Sequence, residues 1–276
     1  MPIFTAPDGT ELAYHARGEG EPLIALPGGP MTSSAYLGDL GGLTAHRTLI
    51  LLDPRGTGAS ATPADPATYR CDRQVDDVEA LRGHLGLDRT DLLAHSAAGS
   101  LALLYAARHP ERVRRLALIT STPRALGLTV TDDDRRAAAL LRARESWYGE
   151  AHPAYEAWLD GADLALSEFG GFFYGRWDDA ARTHLAVMDA GINDEACDLF
   201  HADGAYDPPA TLRALARLTA PVLVLAGELD PALAERTAAL LPHAELAVQP
   251  GAGHYPWLDD PHWFVHRVNT FLRSAE

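Results

Sequence analysis

The stretch T-D-L-L-A-H-S-A-A-G-S-L-A-L-L-Y-A, residues 90–106, decides the fold. Its short apolar run, Leu92 to Ala94, has the length and continuity of a strand buried on both faces of a parallel sheet. The run stops at His95-Ser96, and an Ala/Leu-rich helical pattern starts at once. Ser96 therefore falls on an abrupt strand-to-helix turn. A nucleophile on such a turn sits in a strained backbone, with its Oγ lifted clear of the sheet. So tight a turn admits only small residues two places before and two places after, here Ala94 and Ala98, followed by Gly99. The strict G-x-S-x-G signature is absent, because both of its glycines are alanines, but its steric requirement is met. Serine is also a good helix N-cap, so the stretch alone does not separate nucleophile from cap.

On either side of it, strand and helix patterns alternate. Ile3 to Ala6 and Glu11 to His15 flank the turn Pro7-Asp8-Gly9, as a hairpin would. P-L-I-A-L-P-G-G-P (22–30) reads as a buried strand, Leu23 to Leu26, running into glycines. A helical stretch is expected from about Ser33 to Ala45, then a strand from Leu49 to Leu52. Residues 72–86 carry Val75, Val78, Leu81 and Leu85 at helical spacing, and Gly86 is a stop signal. Pro110 closes the helix after Ser96, and Arg115 to Thr120 forms the next strand. The alternation resumes with P-V-L-V-L-A-G (221–227), a helix from Ala232 to Leu241, and a strand from Glu245 to Val248. A last helix opens at Asp260-Pro261, a good N-cap and N1 pair. Continuous apolar strands alternating with helices describe an α/β protein with a doubly wound, mostly parallel sheet.

Residues 124–210 interrupt that pattern. They are helix-rich, contain no convincing strand, and hold 11 of the 21 Phe, Trp and Tyr residues. They read as a helical insertion (124–210) in a core domain made of 1–123 and 211–276.

Composition narrows the function. A net charge of −15, with all 23 basic residues arginine, leaves no basic stripe to neutralise phosphates, so nucleic acid is not an expected partner. Cys71 and Cys197 stand far apart and in no metal-ligand spacing, so neither a disulfide framework nor a metal site is expected. No basic leader precedes an apolar stretch, and no window approaches a membrane span, so the expectation is a cytoplasmic protein with no membrane partner. Nothing in the sequence sets the oligomeric state.

Three residues carry the chemistry. Ligands of open α/β sheets bind beyond the carboxyl ends of the strands, and Asp230 and His254 both follow strands there. The order Ser96…Asp230…His254 is that of an acyl-transfer triad on this architecture. Serine needs a histidine to take its proton, and the histidine needs a carboxylate to fix its tautomer. Taken singly, Asp230 also suits a helix start, and His254 is one of twelve histidines. A tetrahedral intermediate further requires backbone N–H donors. Ala97 is one candidate, and Gly29, in the loop after Leu26, is the other.

These motifs resemble the α/β-hydrolase fold, and most closely its proline iminopeptidase-like branch. The resemblance spans nearly the whole chain. It rests on P-G-G-P (27–30), D-P-R-G-T-G-A-S (53–60), the serine turn, G-E-L-D-P (227–231) and G-A-G-H (251–254). It implies an eight-stranded, mostly parallel sheet flanked by helices, with a helical cap after the sixth strand. It also implies Ser96 as nucleophile, Asp230 as acid, His254 as base, and Gly29 with Ala97 as oxyanion donors, with no cofactor. Pro27 replaces that branch's histidine and Met31 its last loop glycine.

The branch implies a serine hydrolase cleaving an N-terminal aminoacyl bond in a small amide or short peptide, its amine held by cap carboxylates. Glu168 is the candidate for that role, with Phe172, Phe173 and Trp177 as further substrate-binding residues. The insertion carries 17 Asp and Glu against seven Arg, most of which read as a solvated face. Arg55 reads as structural, since a buried arginine needs several acceptors. The same scaffold also serves esterases, lactonases and carbon–carbon hydrolases of small apolar substrates. A non-catalytic ligand-binding derivative is the other class. Epoxide and haloalkane enzymes use an aspartate where Ser96 stands.

Overall fold

The computed structural model describes residues 1–231 and 233–273. Eight strands form one sheet: β1 (Ile3–Thr5), β2 (Glu11–Arg17), β3 (Pro22–Leu26), β4 (Thr48–Leu52), β5 (Thr90–His95), β6 (Val113–Ile119), β7 (Val222–Gly227) and β8 (Ala244–Gln249). Their spatial order is β1-β2-β4-β3-β5-β6-β7-β8. Only the β1–β2 and β2–β4 pairings are antiparallel.

The central strands are apolar on both faces because each face is covered. Ile24, Leu26, Leu92, Ala94, Leu116, Leu118, Val222 and Val224 belong to one core. Leu23, Ala25, Leu93, Ala117, Ile119, Leu223 and Leu225 belong to the other. Alternate residues point to opposite faces of a strand, so continuous hydrophobicity is what double covering demands. The first core is closed by α1 (Val75–His84) and α2 (Ala98–Arg108).

Six helices lie between β6 and β7: α3 (Asp132–Leu140), α4 (Tyr148–Leu159), α5 (Leu166–Phe169), α6 (Asp179–Ala190), α7 (Asp194–Phe200) and α8 (Pro208–Leu215). They include a small core of their own, where Ala139, Tyr155, Phe169 and Phe172 are buried together. Much of the aromatic excess of residues 124–210 is spent there. After β7 come α9 (Ala234–Leu240), α10 (Pro256–Asp259) and α11 (Pro261–Arg273), whose Phe264, Val268 and Phe271 cover the second face. The expected start of α9 at Ala232 lies outside the described residues.

Strand positions agree with the sequence reading to within two residues. β5 begins earlier than its apolar run because Asp91, fully buried, is held by Arg47 (3.1 Å) and Arg114 (2.8 Å). The helix expected from Ser33 to Ala45 is not there. Two short 3₁₀ turns, Ser34–Leu37 and Leu43–Ala45, replace it. Gly38 (φ 57°) closes the first turn, and Gly41 and Gly42 (70° and 96°) lead into the second, so no continuous helix runs through.

Candidate active site

Ser96 sits between β5 and α2 with φ +52°, a left-handed conformation rare outside glycine. Its N–H donates to the Ile119 carbonyl (3.0 Å), and its own carbonyl accepts from the N–H groups of Gly99 (2.9 Å) and Thr122 (2.9 Å). These bonds to the end of β6 and to the first turn of α2 over-determine the strained turn. Its steric need is met by glycines other than those of the strict signature. A Cβ on Gly28 would stand 2.7 Å from Ser96 Cβ and 2.8 Å from the His95 carbonyl oxygen. A Cβ on Gly99 would overlap Ser121. Alanine is accommodated at positions 94 and 98 because the closest approaches fall on Gly28 and Gly99.

Asp230 lies three residues past β7 and His254 in the loop past β8. His254 Nδ1 is 2.5 Å from Asp230 Oδ2, a charge-assisted contact with a carboxylate that is almost wholly buried. The His254 loop is fixed at several points. Its own N–H donates to the Phe173 carbonyl (2.7 Å). The Asp259 carboxylate accepts from the N–H groups of Gly253 (2.8 Å), Gly175 (3.0 Å) and Arg176 (3.1 Å). Burial pushes the Asp259 carboxyl up, against the pull of these donors.

A buried relay joins the serine turn to both neighbouring loops. His95 Nε2 lies 2.9 Å from the His254 carbonyl oxygen, which can only accept, so Nε2 carries the proton. Thr120 Oγ1 donates to the same oxygen (2.9 Å). His95 Nδ1 is then an acceptor and takes the Tyr36 hydroxyl proton at 2.7 Å. The Tyr36 oxygen accepts in turn from the Gly28 N–H (2.7 Å). Burial holds the His95 imidazole far below its ordinary pKa, with nearby His254 adding to the effect, which agrees with this neutral tautomer.

Ser96, Asp230 and His254 share the wall of one cavity of about 330 Å³, together with Gly29, Ala97, Phe172 and Phe173. Among the described residues, no protein acceptor takes the N–H of Gly29 or Ala97. Both donors are therefore free for an oxyanion.

Two expectations are corrected. Glu168 does not line the cavity: it is exposed, and its Oε1 accepts from the Ala165 N–H (3.2 Å) at the start of α5. Trp177 is also off the wall, packed beside Tyr174 (ring centroids 5.4 Å apart) with the Arg182 guanidinium over its ring. Arg55 is buried and does not line the wall; it is held by Asp77 (2.5 and 2.9 Å) and Asp8 (2.7 Å). No local sequence motif marks Tyr36, Thr120 or Asp259. They become visible only when the loops meet. Among the described residues no cluster of side chains is arranged to hold a metal ion, and no helix is long and apolar enough to cross a membrane.

A family profile described as alpha/beta hydrolase fold matches residues 21–261. A proline iminopeptidase from Heyndrickxia coagulans is 26% identical over 270 residues, covering 95% of this chain and 93% of that protein. A 2-hydroxymuconate semialdehyde hydrolase from a Pseudomonas species is 27% identical, covering 97% of this chain and 92% of that one. Among solved structures, an esterase from a Rhodococcus species superposes with a TM-score of 0.74 at 25% identity, over 100% of this chain and 99% of the esterase.

Proposed function

The chain belongs to the α/β-hydrolase family, and from that premise we propose that it is a serine hydrolase working through an acyl-enzyme on Ser96. One observation carries this: the 2.5 Å contact of His254 with Asp230, on the same cavity wall as a serine held at left-handed φ. Asp230 keeps the proton on Nδ1, leaving Nε2 to take the Ser96 hydroxyl proton as Oγ attacks the substrate carbonyl. The N–H groups of Gly29 and Ala97 receive the negative charge on oxygen, each such donor being worth about 3–4 kcal/mol in related sites. His254 then passes the proton to the leaving group. Water, activated by the same imidazole, attacks the acyl carbon and restores Ser96. Residues 124–210 act as the cap over this site, and residues 1–123 and 211–276 as its core.

The substrate is best read as an ester, lactone or related carbonyl compound without a free ammonium group. Asp230 is the only carboxylate among the described residues of the cavity wall, and it is committed to His254. With Glu168 facing solvent, a protonated N-terminal amine would find no counter-charge. Hydrolysis of an aminoacyl amide is the second reading, favoured by the similarity to proline iminopeptidases across 95% of the chain.

The test is twofold. A fluorophosphonate should label the protein on Ser96, and Ser96→Ala should abolish labelling and turnover; an unlabelled wild type would favour a ligand-binding protein. Short acyl 4-nitrophenyl esters should be turned over, with little activity on proline 4-nitroanilide. The reverse preference would establish the aminopeptidase reading.

A further inference from the structure

We propose that Arg124 is an anion-binding residue of the cavity, and that the substrate carries a carboxylate which it holds. The inference rests on the serine-hydrolase reading and names the substrate class for that same site.

Arg124 lies just beyond β6, on the 3₁₀ turn Arg124–Leu126, and lines the same cavity as Ser96 and His254. Its Nε is shut away from solvent and has no hydrogen-bond acceptor, and among the described residues no carboxylate pairs with its guanidinium. The other cation on the wall is different: Arg135 is tied to Asp132 (3.1 Å) and to the Val130 carbonyl (3.0 Å). The residue is half-buried as a whole, but its enclosed Nε lacks the acceptor that buried polar atoms normally have. A lone guanidinium on a substrate cavity whose only carboxylate already serves a histidine points to a counter-charge brought by the ligand. Guanidinium matches a carboxylate in planar, two-pronged geometry.

The position is also preorganised. The Thr122 N–H donates to the Ser96 carbonyl (2.9 Å), and Ser100 Oγ donates to the Thr122 carbonyl (2.6 Å). The Ala125 N–H reaches Ser100 Oγ (3.4 Å). The backbone on both sides of Arg124 is therefore pinned to the serine turn and to α2. Neighbouring His201 turns Nδ1 to the Tyr206 hydroxyl (2.6 Å), and burial, with the charge of Arg124 second, lowers its pKa to about 4. It stays uncharged and does not compete for the anion.

The experiment compares 4-nitrophenyl hydrogen adipate with 4-nitrophenyl hexanoate, which have equal acyl chain length and differ in the terminal carboxylate. The wild type should favour the anionic ester in kcat/KM. Arg124→Gln should lose roughly 10- to 100-fold on that ester, mostly in KM, as expected for a charge-assisted pair, and stay within about threefold on the neutral one. Arg124→Lys should recover part of the loss. Equal losses on both esters, or a wild type that prefers the neutral ester, would overturn the proposal. The wild-type comparison decides alone if Arg124→Gln does not fold. Wild-type protein that hydrolyses neither ester and takes no fluorophosphonate label would instead defeat the serine-hydrolase reading.

Discussion

Replacing Tyr36 by phenylalanine deletes one oxygen atom while keeping the ring that packs near His95, Tyr255 and Trp257, with centroids 5.6, 6.1 and 6.4 Å away. Any effect must then come through hydrogen bonding. Two buried groups lose their partner: the Gly28 N–H and His95 Nδ1. An unsatisfied buried polar group costs about 1–3 kcal/mol, so Tyr36→Phe should lose roughly 2–4 kcal/mol of stability after some relaxation. For a domain of this size each kcal/mol moves Tm by about 2 °C, which gives a fall of roughly 4–8 °C. His95 cannot recover by switching tautomer, because Nε2 must keep its proton for the His254 carbonyl.

Activity should fall as well, because Gly28 precedes the proposed oxyanion donor Gly29. Complete loss of one such donor costs about 10²–10³ in kcat elsewhere. A loosened but present donor should cost roughly tenfold in kcat, with KM changed less than about twofold. Differential scanning calorimetry and steady-state ester hydrolysis read the two effects separately. A Tm within 1 °C of wild type would refute the relay, and a lower Tm with unchanged kcat would detach it from the oxyanion loop.

Two further predictions follow the same logic. Gly28→Ala needs no unusual backbone dihedral, so its harm is purely steric: a Cβ 2.7 Å from Ser96 Cβ must push the serine turn aside. Ester turnover should fall by roughly 10²-fold or more, as a misplacement near 1 Å does, while Gly83→Ala in α1, whose Cβ meets nothing within 4 Å and whose backbone is ordinary helix, should leave kcat within about twofold. Acid should unfold the protein through its buried imidazoles. His184 and His201 have their pKa lowered to about 4, and His95 is held well below its ordinary value, all by burial first. Their folded pKa values lie below the unfolded one of about 6.5, so the unfolded state binds more protons and stability falls as pH drops from about 6.5 towards 4. Each of these imidazoles contributes a loss of up to about 1.4 kcal/mol per pH unit in that window. Urea unfolding at pH 7 and pH 5 checks this; equal stability at both would show that the imidazoles protonate freely in the fold.

The sheet was legible because its signal is local. A parallel strand covered on both faces is a near-continuous apolar run through its centre, and β3 to β7 announce themselves that way without reference to one another. The insertion showed itself by losing that pattern. The Ser33–Ala45 stretch misled because its helical composition lies around Gly38, Gly41 and Gly42, whose positive φ no hydrophobic pattern reveals. Ser96, Asp230 and His254 were legible because each follows a strand in a fixed order, a rule of topology rather than of neighbouring side chains.

What escaped the sequence depends on which loops meet in space. Glu168 looked like a pocket residue because it stands among Phe169, Phe172 and Phe173, and aromatics in a cap suggest a cavity. Phe169 and Phe172 in fact form the insertion's own core, and Phe172 and Phe173 line the cavity while Glu168 caps a helix on the solvent side. A one-residue difference in helix phase reverses such an assignment, and the phase of a four-residue helix is set by its packing, not by its sequence. Arg124 and Tyr36 lie at the opposite extreme. Each sits in an unremarkable context, S-T-P-R-A-L and S-S-A-Y-L-G, and gains meaning only from residues 28 and 59 positions away in sequence: Ser96, on the same cavity wall as Arg124, and His95, hydrogen-bonded to Tyr36. Which charge the cavity presents is therefore a property of the assembled loops. The insertion's surplus of carboxylates says little about it, because the wall contains arginine where the sequence total suggests acid.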